Sequence, residues 1–227
     1  MIAVLARPAF ARLLRGPRAR ANLAAWFGLA IALAISTRAR GLTHGADLVL
    51  LDAFGAIVLP LLAFGLVGGL VGSGSFAAGI APLAAFGARP VLAAAATLTV
   101  VVASCTAAGG VLAAVVALLA HGSGDPPVVS DALASAYAGS LGGAAYASFF
   151  ALGSSFGRSG GGRALFLVLD WIVGAFGGVV SLATPRAHLR NVLGGVGPMG
   201  LSGAASAGTL VLLAAIFLGC TLLRSRR

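Results

Sequence analysis

The sequence predicts an all-α membrane protein, a bundle of six transmembrane helices with an amphipathic helix ahead of the first. Three observations predict it. The 227 residues are 59% hydrophobic and only 9% charged, where a soluble domain carries about 25% charged residues, and the mean hydropathy is +1.06. Six apolar runs, most of them near the roughly 20 residues that cross hydrocarbon, are separated by short stretches of Gly, Pro, Ser and Arg. All 15 basic residues are Arg, and they cluster between those runs rather than inside them.

The composition excludes several function classes. With so few polar residues the chain cannot clothe a water-soluble enzyme, and it is too apolar to be disordered. It contains no Lys, so the Lys that reaches the β- and γ-phosphates in a P-loop is missing. All five acidic residues are Asp, leaving no Glu as a general base. The net charge of +10 belongs to membrane topology rather than to nucleic acid, because positive residues collect on the cytoplasmic side of a membrane. Cys105 and Cys220 lie in apolar runs, without disulfide or metal spacing.

In chain order, residues 1–21 form a basic segment. On a helical wheel Ile2, Ala6, Ala9, Phe10 and Leu13 share one arc, while Arg7, Arg12, Arg15 and Arg18 occupy the other. That pattern fits a helix lying on an anionic membrane surface, with Pro8 in its first turn. The first span is expected at 22–37, about 24 Å if helical, and is read as retained rather than as a cleaved signal peptide, because the run that follows is equally apolar. The second, 46–71, holds Pro60, which should kink it. A short interfacial helix is expected within 76–90. Spans three and four are expected at 91–120 and 131–156, joined by the turn at 121–127. Span five is expected at 164–183 and span six at 203–223, with 184–202 too broken to cross and 224–227 a basic tail. Six crossings put both termini on one side. Eleven Arg then fall on that side and four on the other, which places the termini in the cytoplasm; the expected location is an inner or plasma membrane, read as bacterial.

Small residues recur four apart at Gly65/Gly69, Gly68/Gly72, Gly139/Gly143, Gly153/Gly157 and Gly174/Gly178. Such spacing lets helices approach closely in lipid, although 34 Gly in 227 residues produce some pairs by chance. Asp170 is the one acidic residue deep in a span, a cost of a few kcal/mol unless paired or neutral. It is either a pathway or proton-coupling residue or a structural group, held by a hydrogen bond or by Arg163, which lies seven residues earlier on the same helix face. Asp47 and Asp131 read as helix N-caps, and Asp52 as a solvated or neighbour-bound residue near the end of span two. His44, His121 and His188 read as solvated loop residues whose separations match no metal motif, so neither metal nor cofactor is expected. The sequence Gly153-Ser154-Ser155-Phe156-Gly157 matches G-x-S-x-G, but it closes a helix and has no strand before it. An intramembrane Ser protease would need a His in a later span, and none is there. No catalytic residue is assigned.

This layout resembles the membrane (permease) subunit of type-2 ATP-binding-cassette exporters, with the heme-exporter membrane subunit a close relative. The segment Arg7 to Arg20 is similar to the family's elbow helix. The stretch from Gly72 through Pro82 to Arg89-Pro90 resembles its cytoplasmic coupling segment, although Ser75 and Phe76 stand where the family carries an acidic residue. Arg158 to Arg163 is similar to the loop between spans four and five. The resemblance implies a transport subunit with no nucleotide site of its own, partnered by a separate ATP-binding subunit that presses on Phe76, Ile80, Pro82, Leu83, Phe86 and Arg89. It also implies a homo- or heterodimer in the bilayer. Thr97, Thr99, Ser104 and Tyr146 are candidate polar residues lining a pathway for an apolar or amphipathic substrate. The rival readings are a non-transporting scaffold or assembly protein, and a channel or proton-coupled carrier using Asp170.

Overall fold

The computed structural model describes residues 2–72, 74–85, 87–157, 161–176 and 178–226. Ser73, Phe86 and Arg158 lie outside the described residues, as do the side chains of Ile2 and Leu14. All regular secondary structure among the described residues is helical, without strands.

Helix α1 (Ile2–Arg15) ends at Gly16, and Pro17 opens α2 (Pro17–Ala39). Proline suits a first turn because its missing N–H has no intrahelical partner there. Pro8 sits further inside α1 than the first turn. Ala9 and Leu13 are buried, whereas Phe10 of the expected apolar arc is exposed. Arg7, Arg12, Arg15 and Arg18 are all exposed.

The second span is not one α-helix. A short α3 (Gly45–Leu48) passes into a π-helical stretch, Val49–Val58, and then α4 (Leu59–Val71). Pro60 gives the reason: it has no N–H for the carbonyl four residues back, and the wider register ends just before it, with the Leu59 N–H bonded to the Phe54 carbonyl. The expected kink is thus absorbed as π-helix. Gly72 stops α4 at φ 78°, a left-handed conformation that glycine tolerates. The short helix α5 (Phe76–Ala85) follows.

Helices α6 (Pro90–Ala120) and α7 (Val128–Ser154) have 31 and 27 residues, about 46 and 40 Å. They pack along their lengths through a glycine seam. A methyl group on Gly109 would overlap the Gly139 carbonyl, one on Gly143 the Cys105 carbonyl, and one on Gly110 the Ser140 hydroxyl. Residues 145–151 of α7 are all buried. A helical stretch covered on every side is central to its bundle, and α7 also touches α4, α8, α9 and α10. Phe149 joins three helices, its ring 4.8 Å from Phe166 of α8 (Gly162–Val173) and 5.3 Å from Phe217 of α10 (Gly203–Arg224).

Among the described residues, four helical stretches are long and apolar enough to cross a membrane: 17–39, 45–85, 90–120 and 203–224. Exposed Leu, Ile and Val on α2, α8 and α10 suit lipid rather than water. The molecule is thus an all-α protein consistent with a multi-pass membrane protein. The stretch expected as span five is not continuous. Helix α8 stops at Val173 after 12 residues, about 18 Å and short of the hydrocarbon thickness. A 3-10 turn (Val179–Ala183) and α9 (Pro185–Val192) then fold back beside α7 and α8.

Candidate functional site

Two regions collect the residues singled out in the sequence. The first is the basic end of the bundle, where α1, α5 and the ends of α4, α7 and α10 meet. On α5, Phe76 and Ile80 are buried at 2% and 4% exposure and Leu83 is half-buried. They face the bundle, while Ala77, Ala78, Ala81, Pro82 and Ala85 point outward. Arg89 is exposed, just before Pro90 opens α6. The Arg12 guanidinium donates from Nη1 to the carbonyls of Leu70 and Gly79, both at 3.4 Å. One side chain of α1 thereby ties α4 to α5. At 3.4 Å both are longer than the usual length of a charge-assisted bond, about 2.7–2.9 Å, so each is a weak contact and the tie rests on the pair. Gly79 permits this crossing, since a Cβ there would press on the backbone of Val71. Beside this platform a cleft of about 260 Å³ opens between Ser75, Gly157 and Arg224. Arg224 donates to the Ser155 carbonyl at 3.1 Å and lies 4.1 Å over the Phe156 ring, an arrangement favourable for a cation on an aromatic face.

The second region surrounds Asp170 at the far end of α8. Its side chain is fully buried. Oδ2 accepts from the Tyr146 hydroxyl at 2.9 Å, and Oδ1 accepts from the backbone N–H of Arg186 at 3.1 Å. Arg186 is in the first turn of α9, so the carboxylate meets one of the N–H groups that a helix start leaves without an intrahelical partner. Arg163 makes no ion pair with it. Its guanidinium lies 4.8 Å over the Phe64 ring and against Gly68, because α8 carries it toward α4. Next to this niche a cavity of about 190 Å³ separates the π-helical stretch from α9 and is lined by Asp52, Gly55, Arg186 and Arg190.

Other residues fall differently from the sequence reading. The caps before α3 and α7 are His44 and Pro127, without side-chain capping bonds; Asp47 and Asp131 sit in the first turns, where a negative charge suits the helix dipole. His188 is not a solvated loop residue but is fully buried in α9. Thr97 and Thr99 bond the carbonyls four residues back in their own helix, as Ser and Thr in apolar helices do, and Tyr146 is engaged with Asp170. Ser104 faces a groove on α6 beside Phe10 and Arg7 of α1. Ser154 of the G-x-S-x-G stretch bonds the Phe150 carbonyl inside α7, and Gly157 takes φ 79° after it. What the sequence did not reveal is the meeting of His44 with Asp125, residues 81 apart in the chain, whose side chains come within 3.8 Å.

Compared with protein-family models, with curated proteins and with solved structures, the chain matches none.

Proposed function

We propose that the chain is the transmembrane permease subunit of an ATP-driven exporter, working as a dimer and drawing its energy from separate ATPase subunits seated on its basic end. The observation that carries this reading is α5. It is a ten-residue helix between two long apolar helices, anchored inward by Phe76 and Ile80 and held to α1 by Arg12. Its outward face, Ala77, Ala78, Ala81, Pro82 and Ala85, is small and uncharged, the kind of surface a partner's cleft can enclose without desolvating charge. A push on that helix passes through Arg12 to α1 and through the Gly79 contact to α4, so the two bundles of a dimer can rock as rigid bodies. In this reading α8 and the 3-10 turn that ends at Ala183 make the fifth of six crossings, α9 lies beyond it, and the basic end faces the cytoplasm. Two shallow apolar grooves flank Thr99 and Ala103 of α6, about 520 Å³ beside Phe10 and about 400 Å³ beside Leu218. They suit an apolar or amphipathic substrate.

The experiment is isolation of the tagged full chain from its own host. A nucleotide-binding subunit is expected to co-purify in fixed ratio and to hydrolyse ATP, and Ala81→Arg, on the exposed face, is expected to abolish both. A monodisperse chain without any ATPase overturns the exporter reading and favours the scaffold. The carrier reading rests on Asp170, both of whose oxygens accept hydrogen bonds from the protein. Full transport by Asp170→Asn would remove it.

A further inference from the structure

At the end of the bundle away from α1, the loop after α2 meets the turn between α6 and α7. The chain has only five Asp and three His, yet the donor atoms of His44, Asp47 and Asp125 lie within 4.8 Å of one another. Asp125 is built into the fold. Its side chain is fully buried, and Oδ2 accepts from the N–H groups of Gly122 at 2.7 Å and Ala46 at 3.0 Å. Its other oxygen, Oδ1, is buried with no hydrogen-bond partner among the described residues. That oxygen faces His44 Nδ1 at 3.8 Å, and Asp47 Oδ2 stands 4.0 Å from the same nitrogen. The His44 ring lies against Gly124, where a Cβ would collide with it.

Two features separate this arrangement from an ordinary ion pair. A charge-assisted N–H···O bond closes to about 2.7–2.9 Å, and here both separations are longer by about an ångström. A buried carboxylate oxygen without a donor is costly unless a cation meets it. Donors sharing one tetrahedral zinc ion at about 2.0–2.2 Å stand roughly 3.4 Å apart, so contraction by a few tenths of an ångström brings two of these pairs into range. His44 and Asp47, with side chains 61% and 45% exposed, are free to make it. One imidazole and two carboxylates match zinc-type ions, whereas calcium takes six to eight oxygens.

We propose that His44, Asp47 and Asp125 form a binding site for a divalent transition-type cation of the zinc class, with the fourth position open to water. The ion fastens the loop after α2 to the α6–α7 turn. The site is independent of the exporter reading, since it lies at the other end of the bundle from α5.

The test uses the full chain without a polyhistidine tag in lipid nanodiscs, titrated with Zn²⁺ against a chromogenic chelator at neutral pH. One Zn²⁺ per chain is expected, undisturbed by excess Ca²⁺ or Mg²⁺. His44→Gln and Asp47→Asn are each expected to weaken it at least about tenfold, the scale on which even outer-shell partners of a metal site act. His44 is exposed and Asp47 half-exposed, so these variants keep the fold that Asp125 organises. Zn²⁺ is expected to raise the melting temperature of the wild type and not of the double variant. Absence of stoichiometric Zn²⁺ in the wild type, or equal binding by the His44→Gln/Asp47→Asn double variant, overturns the proposal.

Discussion

Tyr146 of α7 donates its hydroxyl hydrogen to Asp170 of α8 at 2.9 Å, and both side chains are fully buried. The carboxylate also receives the Arg186 N–H, so one residue joins α7, α8 and the start of α9. Tyr146→Phe keeps the ring, which stacks on Phe150, and leaves Asp170 Oδ2 without its donor. Its expected cost is about 1–3 kcal/mol, the penalty for one unsatisfied buried polar group. Asp170→Ala strands both donors and is expected to cost more. Melting curves in one detergent check the order wild type, Tyr146→Phe, Asp170→Ala. Equal melting of all three would dissolve the structural role assigned to this pair.

The α6–α7 seam makes a second prediction. Gly139→Ala places a methyl group against the Gly109 carbonyl, and a backbone atom cannot rotate away as a side chain can. The expected loss is about 1–3 kcal/mol from overpacking. Gly208→Ala and Gly219→Ala on α10 serve as controls, since a Cβ at either position meets nothing within 4 Å. There the gain in helix propensity, about 1 kcal/mol, is expected to leave stability unchanged or raised. Thermal melting of the three variants side by side separates packing from propensity.

These glycines also mark how far the sequence could be read. The Gly139/Gly143 spacing pointed to a close helix crossing, and both residues sit in one. Gly72, Gly157 and Gly178 in other pairs of the same spacing face open space, because spacing reports a helix face and not what lies opposite. The long apolar helices and the short α5 were legible because they depend on local hydropathy and on Gly and Pro breaks. The π-helical stretch was not, since Pro60 announces a lost hydrogen bond without saying whether the helix bends or widens. Neither was the His44–Asp125 meeting, which depends on how α2 and α6 end in space. For the same reason helical spacing offers either a hydrogen bond or Arg163 for Asp170, and only tertiary packing shows that Tyr146 and Arg186 supply hydrogen bonds while Arg163 goes to Phe64.

Arg12 supplies a third prediction. Its two acceptors lie on α4 and α5, so Arg12→Ala releases both while leaving Ala9 and Leu13 buried against the bundle. The α5 amides are expected to exchange with solvent at least about tenfold faster, the equivalent of about 1.4 kcal/mol in local opening, with α6 and α7 unchanged. Hydrogen-exchange mass spectrometry reads both. Unchanged α5 protection would show that the guanidinium bonds do not hold the helix.

His188 gives the pH dependence. The Leu182 carbonyl can only accept, so Nε2, 3.0 Å away, carries the proton. Nδ1 is then the acceptor facing the Ser206 hydroxyl at 3.3 Å, and that hydroxyl in turn accepts from Asn191 at 2.8 Å. The neutral ring thus completes a chain of donors and acceptors between α9 and α10. Burial holds its pKa below the ordinary value of 6.5, only partly offset by the bond to Leu182. The unfolded chain takes up this proton near that ordinary value, while the folded chain does so only at lower pH. Between the two values the unfolded state binds more protons, so stability falls with acidification. The contribution is fully present above about 6.5 and is lost as pH drops through the folded value. His188→Gln cannot titrate, so the melting temperatures of wild type and variant are expected to differ by an amount that shifts between mildly alkaline and mildly acidic pH, the wild type losing more. A constant difference across that range would mean that the buried ring does not titrate on unfolding.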